Sequence, residues 1–249
     1  MTGASAGIGL AVARSLLEHG ARLVVNARRA DRLNQLAQPF GRERCLPVAG
    51  DATDTGVISD LLDQCRSRFG RAPDLVVVNA GRGLRGGVVE SDTEDWEAVV
   101  RINFTSAARL MREAYLAMCS LDESHGRAGE TPTRARDIIL LGSTVGRNLS
   151  PFSSFYGSVK AAAHMAAESV RRAAAKHGIR VTTLEPGVVE SEFQDAAGYD
   201  REKFGEFMRS IAPVLTPGDI ARLVTFIISQ PPGVHLSEVM VRPTRQEYP

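Results

Sequence analysis

The chain is short of lysine, cysteine, aromatic residues and net charge. It holds three lysines, Lys160, Lys176 and Lys203, against 27 arginines. A lysine inside a motif therefore points to a role that a guanidinium, effectively never deprotonated, does not fill. A formal net charge of +1 excludes the basic excess that nucleic acid or an anionic membrane surface would require of a main partner. The three cysteines, Cys45, Cys65 and Cys119, are odd in number and lack metal-type spacing, so they read as buried free thiols rather than disulfides or ligands. The histidines are scattered, no metal site is expected, and His164 sits in an alanine-rich helical run where packing explains it. No apolar run approaches the roughly 18 residues a membrane helix needs, and no basic-then-apolar leader opens the chain. The reading is a cytoplasmic protein.

What is present is a chain of 249 residues, 43% hydrophobic, long enough for one sizeable core and expected to be a single domain. Strand-like runs begin at Ala21, Cys45, Asp74, Asp137, Arg180 and Ser237. Between them, residues 54 to 70, 92 to 119, 154 to 178 and 216 to 230 carry helical periodicity. That alternation predicts an α/β fold with a doubly wound parallel sheet of Rossmann type. The polar stretch from Ser120, SLDESHGRAGETPTRARD, reads as a solvated surface loop.

The chain opens MTGASAGIGL. Gly3, Gly7 and Gly9 have the spacing of a phosphate-binding turn, with one glycine for the turn, one for close approach to a pyrophosphate and one for helix-on-sheet packing. A helix runs on to Gly20, its first amides facing the phosphates. The strand ARLVVNA then ends at Arg28 and Arg29, with no acid to hold the ribose hydroxyls of NAD. An arginine there accommodates a 2′-phosphate, and Arg28 is favoured for it over Arg29.

Chemistry is expected in GSTVGRNLSPFSSFYGSVK. Tyr156 and Lys160 share a helix face, and an ammonium beside a phenol lowers the phenol pKa toward the range useful for proton transfer. Ser143 ends the preceding strand, where its hydroxyl can hold a substrate oxygen. A second pair, Tyr199 and Lys203, has the same spacing, but it lies in a charged stretch and reads as a solvated helix face. Arg82 and Arg85 are candidates to meet a substrate carboxylate, although solvated loop arginines is the simpler reading.

TGASAGIG, the NAG of Asn79 to Gly81, Asn103 in RINFTS, Ser143, YGSVK and Pro186-Gly187 together resemble the ordered motifs of the short-chain dehydrogenase/reductase family, from one end of the chain to the other. The resemblance implies Tyr156 as general acid, Lys160 as its pKa modulator and ribose binder, Ser143 as the substrate-orienting group, and Asn103 in a water relay to Lys160. It implies NADP(H) as cofactor, bound by Gly3, Ser5, Gly7, Ile8, Gly9, Arg28, Arg29, Asp51, Ala52, Asn79, Ala80, Gly81, Tyr156, Lys160, Pro186, Gly187, Val189 and Ser191. Asp51 would contact adenine, and Ser191 would stand where the family often has a threonine near the nicotinamide amide. LGSTVG, LEPGVVESEF, LTPGDIA and EVMVRPT are similar to NADP-dependent members acting on small hydroxy acids or secondary alcohols. A homotetramer or homodimer is implied as well.

The opening departs from the family pattern, because a first strand should precede Thr2 at the centre of the sheet. Without it two neighbours lack partners, so the expectation is that the chain starts inside a longer sequence or that another segment fills the gap. The function expected is an NADP(H)-dependent oxidoreductase interconverting a carbonyl and a secondary alcohol on a small molecule. The alternatives are a catalytically silent NADP(H)-binding sensor or scaffold, and an epimerase or dehydratase of related fold. A lid over about 188–212, carrying Phe193, Phe204 and Phe207, is expected to cover the substrate.

Overall fold

Strands and helices alternate along the chain, each strand returning in parallel to its neighbour. The computed structural model describes residues 1–120 and 135–248; most of the stretch expected as a solvated loop lies outside the described residues. β1 (Leu23–Ala27) pairs with β2 (Cys45–Ala49). β3 (Leu75–Val78), β4 (Arg136–Leu141), β5 (Ile179–Pro186) and β6 (Glu238–Val241) form a second parallel run in that order.

Residues Met1 to Ala4 lie between the two runs. Thr2 N–H donates to the Val77 carbonyl at 3.2 Å, Ala4 N–H to the Asn26 carbonyl at 3.0 Å, and Asn26 N–H to the Met1 carbonyl at 2.9 Å. The Met1 ammonium donates to the Val24 carbonyl at 2.9 Å, and burial lowers its pKa. The central position expected to be empty is thus held, over its last residues, by the chain's own opening. Backbone groups of β1 and β3 next to the glycine turn find partners there, as buried amides and carbonyls must.

Strand alternation sends successive side chains to opposite faces. Val76, Val78, Ile138, Leu140 and Val181 pack against α5 (Ser106–Cys119) and α6 (Ser154–Ala175). Val77, Ile139, Leu141 and Leu184 pack on the other face against Val12 and Leu16 of α1 (Gly7–Glu18) and Ile220, Val224 and Ile227 of α9 (Pro217–Ile228). Each such side chain, fully buried, contributes about 1.5–3 kcal/mol. Both faces being covered, every residue of β4 and β5 is buried, including the paired Asp137 and Arg180, whose side chains meet at 2.7 Å.

Several expectations need correction. α2 (Ala30–Ala37) was missed; it is short and buries only Leu33, Leu36 and Ala37. The helix expected over 92 to 119 is four pieces: a 3-10 turn at Thr93–Asp95, α4 (Trp96–Val100), a π-helical turn at Arg101–Thr105, and α5. Residues 54 to 70 hold α3 (Thr55–Phe69), ended by Gly70 at φ 73°. The expected lid contains α7 (Phe193–Ala196) and α8 (Arg201–Ser210). None of the three cysteines forms a disulfide among the described residues, but only Cys45 is buried, its thiol pushed up to about 11; Cys65 and Cys119 are half-buried.

Candidate active site

The glycine turn, the carboxyl ends of the strands and the start of α6 border one cleft of about 930 Å³, and every residue singled out above as a site candidate lines it except Arg85. At one end Gly3 and Gly7 hold φ of 69° and 50°, a region open to glycine and costly for other residues. A Cβ on Gly9 would stand 2.1 Å from the Gly3 carbonyl oxygen, so the spacing is enforced by backbone contact. No side chain caps α1 and its first turn holds no acid, which leaves its leading amides open to an anion. Asn79 fastens the turn from β3, its Nδ2 donating to the Thr2 and Gly3 carbonyls at 3.1 Å each. The Asn79 and Ala80 amides donate to the Thr2 hydroxyl at 3.2 Å.

Beyond β1 the two arginines part. Arg29 donates to the Ser5 hydroxyl at 3.1–3.2 Å and pairs with Glu192 at 3.1 Å, while Arg32 pairs with the same carboxylate at 2.7 Å. Arg28 lies exposed on the cleft wall. Its charge reaches Asp51, whose pKa is lowered first by the Thr53 backbone hydrogen bond and further by Arg28 and Arg101. Arg101 lines the same wall; it was missed in the sequence because its only signal is its place two residues before Asn103. Cradle, open amides and paired basic groups fit a phosphorylated dinucleotide at this end.

At the inner end the Tyr156 and Ser143 hydroxyls share a hydrogen bond. Lys160, one turn further along α6, donates to the Leu141 carbonyl at 2.7 Å, with its Nζ 5.8 Å from the Tyr156 ring centre. Both side chains are buried. Burial drives the two pKa values in opposite directions, raising the phenol and pushing the ammonium down to about 8, because a dry surrounding disfavours whichever form is charged. The expected lowering of the phenol pKa by Lys160 is therefore corrected: desolvation raises it, the Tyr199 phenol raises it further, and the Ser143 hydrogen bond offsets only part.

Asn103 sits at the π-helical turn, where one widened turn aims its side chain inward. Its Nδ2 donates to the Arg82 carbonyl at 2.8 Å and the Val99 carbonyl at 3.1 Å. Its buried Oδ1 has no hydrogen-bond partner, a vacancy that suits a donor such as water. His164, expected as packing, does pack between Gly142 and Gly146, where added Cβ atoms would stand 2.4 Å from its ring. It also accepts the Ser143 amide on Nε2 at 3.3 Å, so it braces the segment carrying the serine. Burial, then the Lys160 and Arg147 charges, push its pKa down to about 4.

Two further readings change. Tyr199 is no solvated face: it lines the cleft, bonds Ser153, and packs tilted against Phe204 with ring centres 4.9 Å apart. Only Lys203 is exposed. The lid folds Phe204 inward, and Tyr199, just before α8, follows it. Arg82 lines the cleft but is held by Asp95 at 2.7 Å, and Arg85 is exposed. No helix among the described residues is long and apolar enough to cross a membrane, and none of their acidic, histidine or cysteine side chains group as metal ligands.

Known proteins are similar to this chain over nearly its whole length. An oxidoreductase of Staphylococcus epidermidis is 28% identical over 243 residues, 98% of this chain and 95% of its own. The solved alcohol dehydrogenase of the archaeon Thermococcus sibiricus, complexed with 5-hydroxy-NADP, is 26% identical with a TM-score of 0.79 over 100% of this chain and 97% of its own. The closed form of a serine dehydrogenase complexed with NADP+ is 25% identical, with a TM-score of 0.83 over 100% of this chain and 95% of its own. The family described as short chain dehydrogenase matches residues 1–202, and with so much of its length matched, this chain belongs to that family of oxidoreductases.

Proposed function

We propose that this chain is an NADP(H)-dependent oxidoreductase that interconverts a carbonyl and a secondary alcohol on a small molecule. The observation that carries the reading is the hydrogen-bonded Ser143–Tyr156 pair, one helical turn from Lys160, at the inner end of a cleft whose outer end is the glycine turn. The amides of Gly7 to Gly9 would hold the pyrophosphate, Arg28 the 2′-phosphate, and Asp51 with Ala52 the adenine side. Asn79 to Gly81, Lys160, Pro186, Gly187, Val189 and Ser191 would line the ribose and nicotinamide. When bound, the nicotinamide donates or accepts the hydride.

In reduction, Ser143 holds the carbonyl oxygen while Tyr156 gives it the phenolic proton. In oxidation, the tyrosinate takes the alcohol proton. The buried phenol is protonated at neutral pH, the form that reduction requires. The Lys160 ammonium steadies the phenolate left behind, and Asn103 Oδ1 accepts from a water that returns the proton. Lys160 carries its charge below about 8 and loses it above, so kcat/KM for reduction is expected to fall as pH rises through that value. A profile level through that region contradicts the role given to Lys160.

The test is loss of reduced-nicotinamide absorbance when the full chain is given NADPH and a panel of ketones and aldehydes, with alcohol formed in equal amount. Bound NADPH that is never consumed would favour a nucleotide-binding sensor and overturn the reading.

A further inference from the structure

The half of the cleft beyond Tyr156 is walled by rings. Phe152 meets Phe204 and Phe207 at centre distances of 5.6 and 5.3 Å, and Phe193 lies 5.6 Å from the Tyr156 ring. Polar groups in this wall are already occupied with one another. The Tyr199 hydroxyl bonds Ser153, and Ser153 bonds Ser150 at 3.2 Å. Ser150 Oγ also accepts from the Phe152 amide at 3.1 Å, so these hydroxyls are engaged within the wall.

The charges tell the same story from the other side. A carboxylate entering a dry pocket needs a cation to receive it. The cations bordering the cleft are Arg28, Arg29, Arg82, Arg101 and Lys160. Arg29 is held by Ser5 and Glu192, and Arg82 by Asp95. Arg28 and Arg101 act on Asp51 at the far end. Lys160 donates to the Leu141 carbonyl and is buried. Lys160 lies over the Tyr156 ring at 5.8 Å, but none of these cations lies over Phe152, Phe204 or Phe207, and Glu94 and Glu97 on the rim repel an approaching anion.

We propose that the substrate is an uncharged carbonyl compound with an apolar, ring-sized substituent, an aryl alkyl ketone or its secondary alcohol, seated with the substituent against Phe152, Phe204 and Phe207, and that hydroxy and keto acids are excluded. This deepens the redox reading and rests on it. Apolar area alone discriminates modestly, so the sharper effect comes from the carboxylate left without a partner.

Matched pairs test it: acetophenone against phenylglyoxylate, and acetone against pyruvate, each with NADPH and the full chain. In each pair a carboxylate replaces a methyl group. That replacement makes the carbonyl more electrophilic, so intrinsic reactivity works against the expected result. The neutral member of each pair should win by at least roughly tenfold in kcat/KM, and acetophenone should exceed acetone by about tenfold or more. Phe204→Ala should cut the acetophenone-to-acetone ratio by roughly tenfold. Because that variant disturbs the lid, a binding measurement stands beside it: with NADPH present, phenylethanol should raise the melting temperature and mandelate should not. Turnover of the keto acids alone, or a shift with mandelate alone, overturns the substrate class and leaves the redox reading standing. NADPH that binds but is consumed with no member of the panel overturns both.

Discussion

At the glycine-turn end of the cleft the wall is mostly backbone, whereas at the inner, ring-lined end it is side chain. The first is set by positive φ at Gly3 and Gly7, by a Gly9 that admits no Cβ, and by amides at the start of α1. The second is set by Phe152 before α6 and by Phe193, Tyr199, Phe204 and Phe207 from the lid. A backbone cradle fixes residue type through spacing, since only glycine fits. A wall of side chains can be rebuilt with other residues while the strands beneath stay the same. On the proposed function, one end would recognise what all reactions of this kind share, and the other what distinguishes them.

The largest expected effect lies where the two ends meet. Tyr156→Phe removes the proposed proton donor and keeps the ring, so turnover should fall by roughly 10²–10⁴-fold while the Kd for NADPH changes little. Calorimetric titration with NADPH alongside the activity assay separates the two effects. A variant that binds NADPH and still turns over at the parent rate removes Tyr156 from the chemistry.

The next effect breaks the backbone end alone. Gly9→Ala drives a Cβ onto the Gly3 carbonyl, an overpacking that costs about 1–3 kcal/mol. The Kd for NADPH should rise by roughly ten- to a hundredfold. Gly20→Ala is the control: φ there is 90° but nothing lies within 4 Å, so it should lower the melting temperature without touching the Kd. Equal Kd values for the two variants would mean that the turn does not bind the nucleotide.

The same contrast explains what was legible in the sequence. Glycine spacing, the Arg28 position, and Ser143, Tyr156 and Lys160 are local patterns on elements of fixed geometry, and they lie in one cleft. The opening residues looked too few for a central strand, yet Met1 to Ala4 suffice to pair with both neighbours near the turn. Tyr199 was misread because its neighbours Asp200, Arg201 and Lys203 are charged; the inward turn of that segment is decided by Phe204 meeting Phe152, a contact between segments far apart in sequence. The raised pKa of Tyr156 was illegible for a similar reason, since burial depends on everything packed around the phenol. Arg29 was the less favoured phosphate ligand in the sequence, and what holds it, Glu192 from the lid, is distant in the chain and so was not legible there.

Arg28 sharpens the comparison from the outer end. A charge-assisted pair with a 2′-phosphate is worth about 1.5–3 kcal/mol, so NADPH should be preferred to NADH by roughly one to two orders of magnitude. Exposure of the pair makes the preference shrink as salt rises. Arg28→Ala should erode it through KM with kcat held, because a phosphate far from the hydride is bound alike in ground and transition states. The unaltered protein using both cofactors equally well would remove Arg28 from the site.

The smallest expected effect is at the inner end, with Tyr199→Phe. The ring stays packed against Phe204, and only the hydroxyl bonded to Ser153 is lost. A neutral hydrogen bond of this kind is worth about 1 kcal/mol net, and Ser153 keeps its contact with Ser150. KM for a substrate should therefore change by about fivefold or less, with kcat close to that of the parent, because the lost bond shapes the wall and does not touch the reacting oxygen. The Tyr199 and Tyr156 pKa values are coupled through space, and replacing Tyr199 removes one influence that raises the Tyr156 phenol. The limb along which oxidation rises with pH should consequently move slightly toward lower pH. A loss of kcat as deep as that of Tyr156→Phe would mean that the proton comes from Tyr199, and that the second tyrosine–lysine pair is the working one.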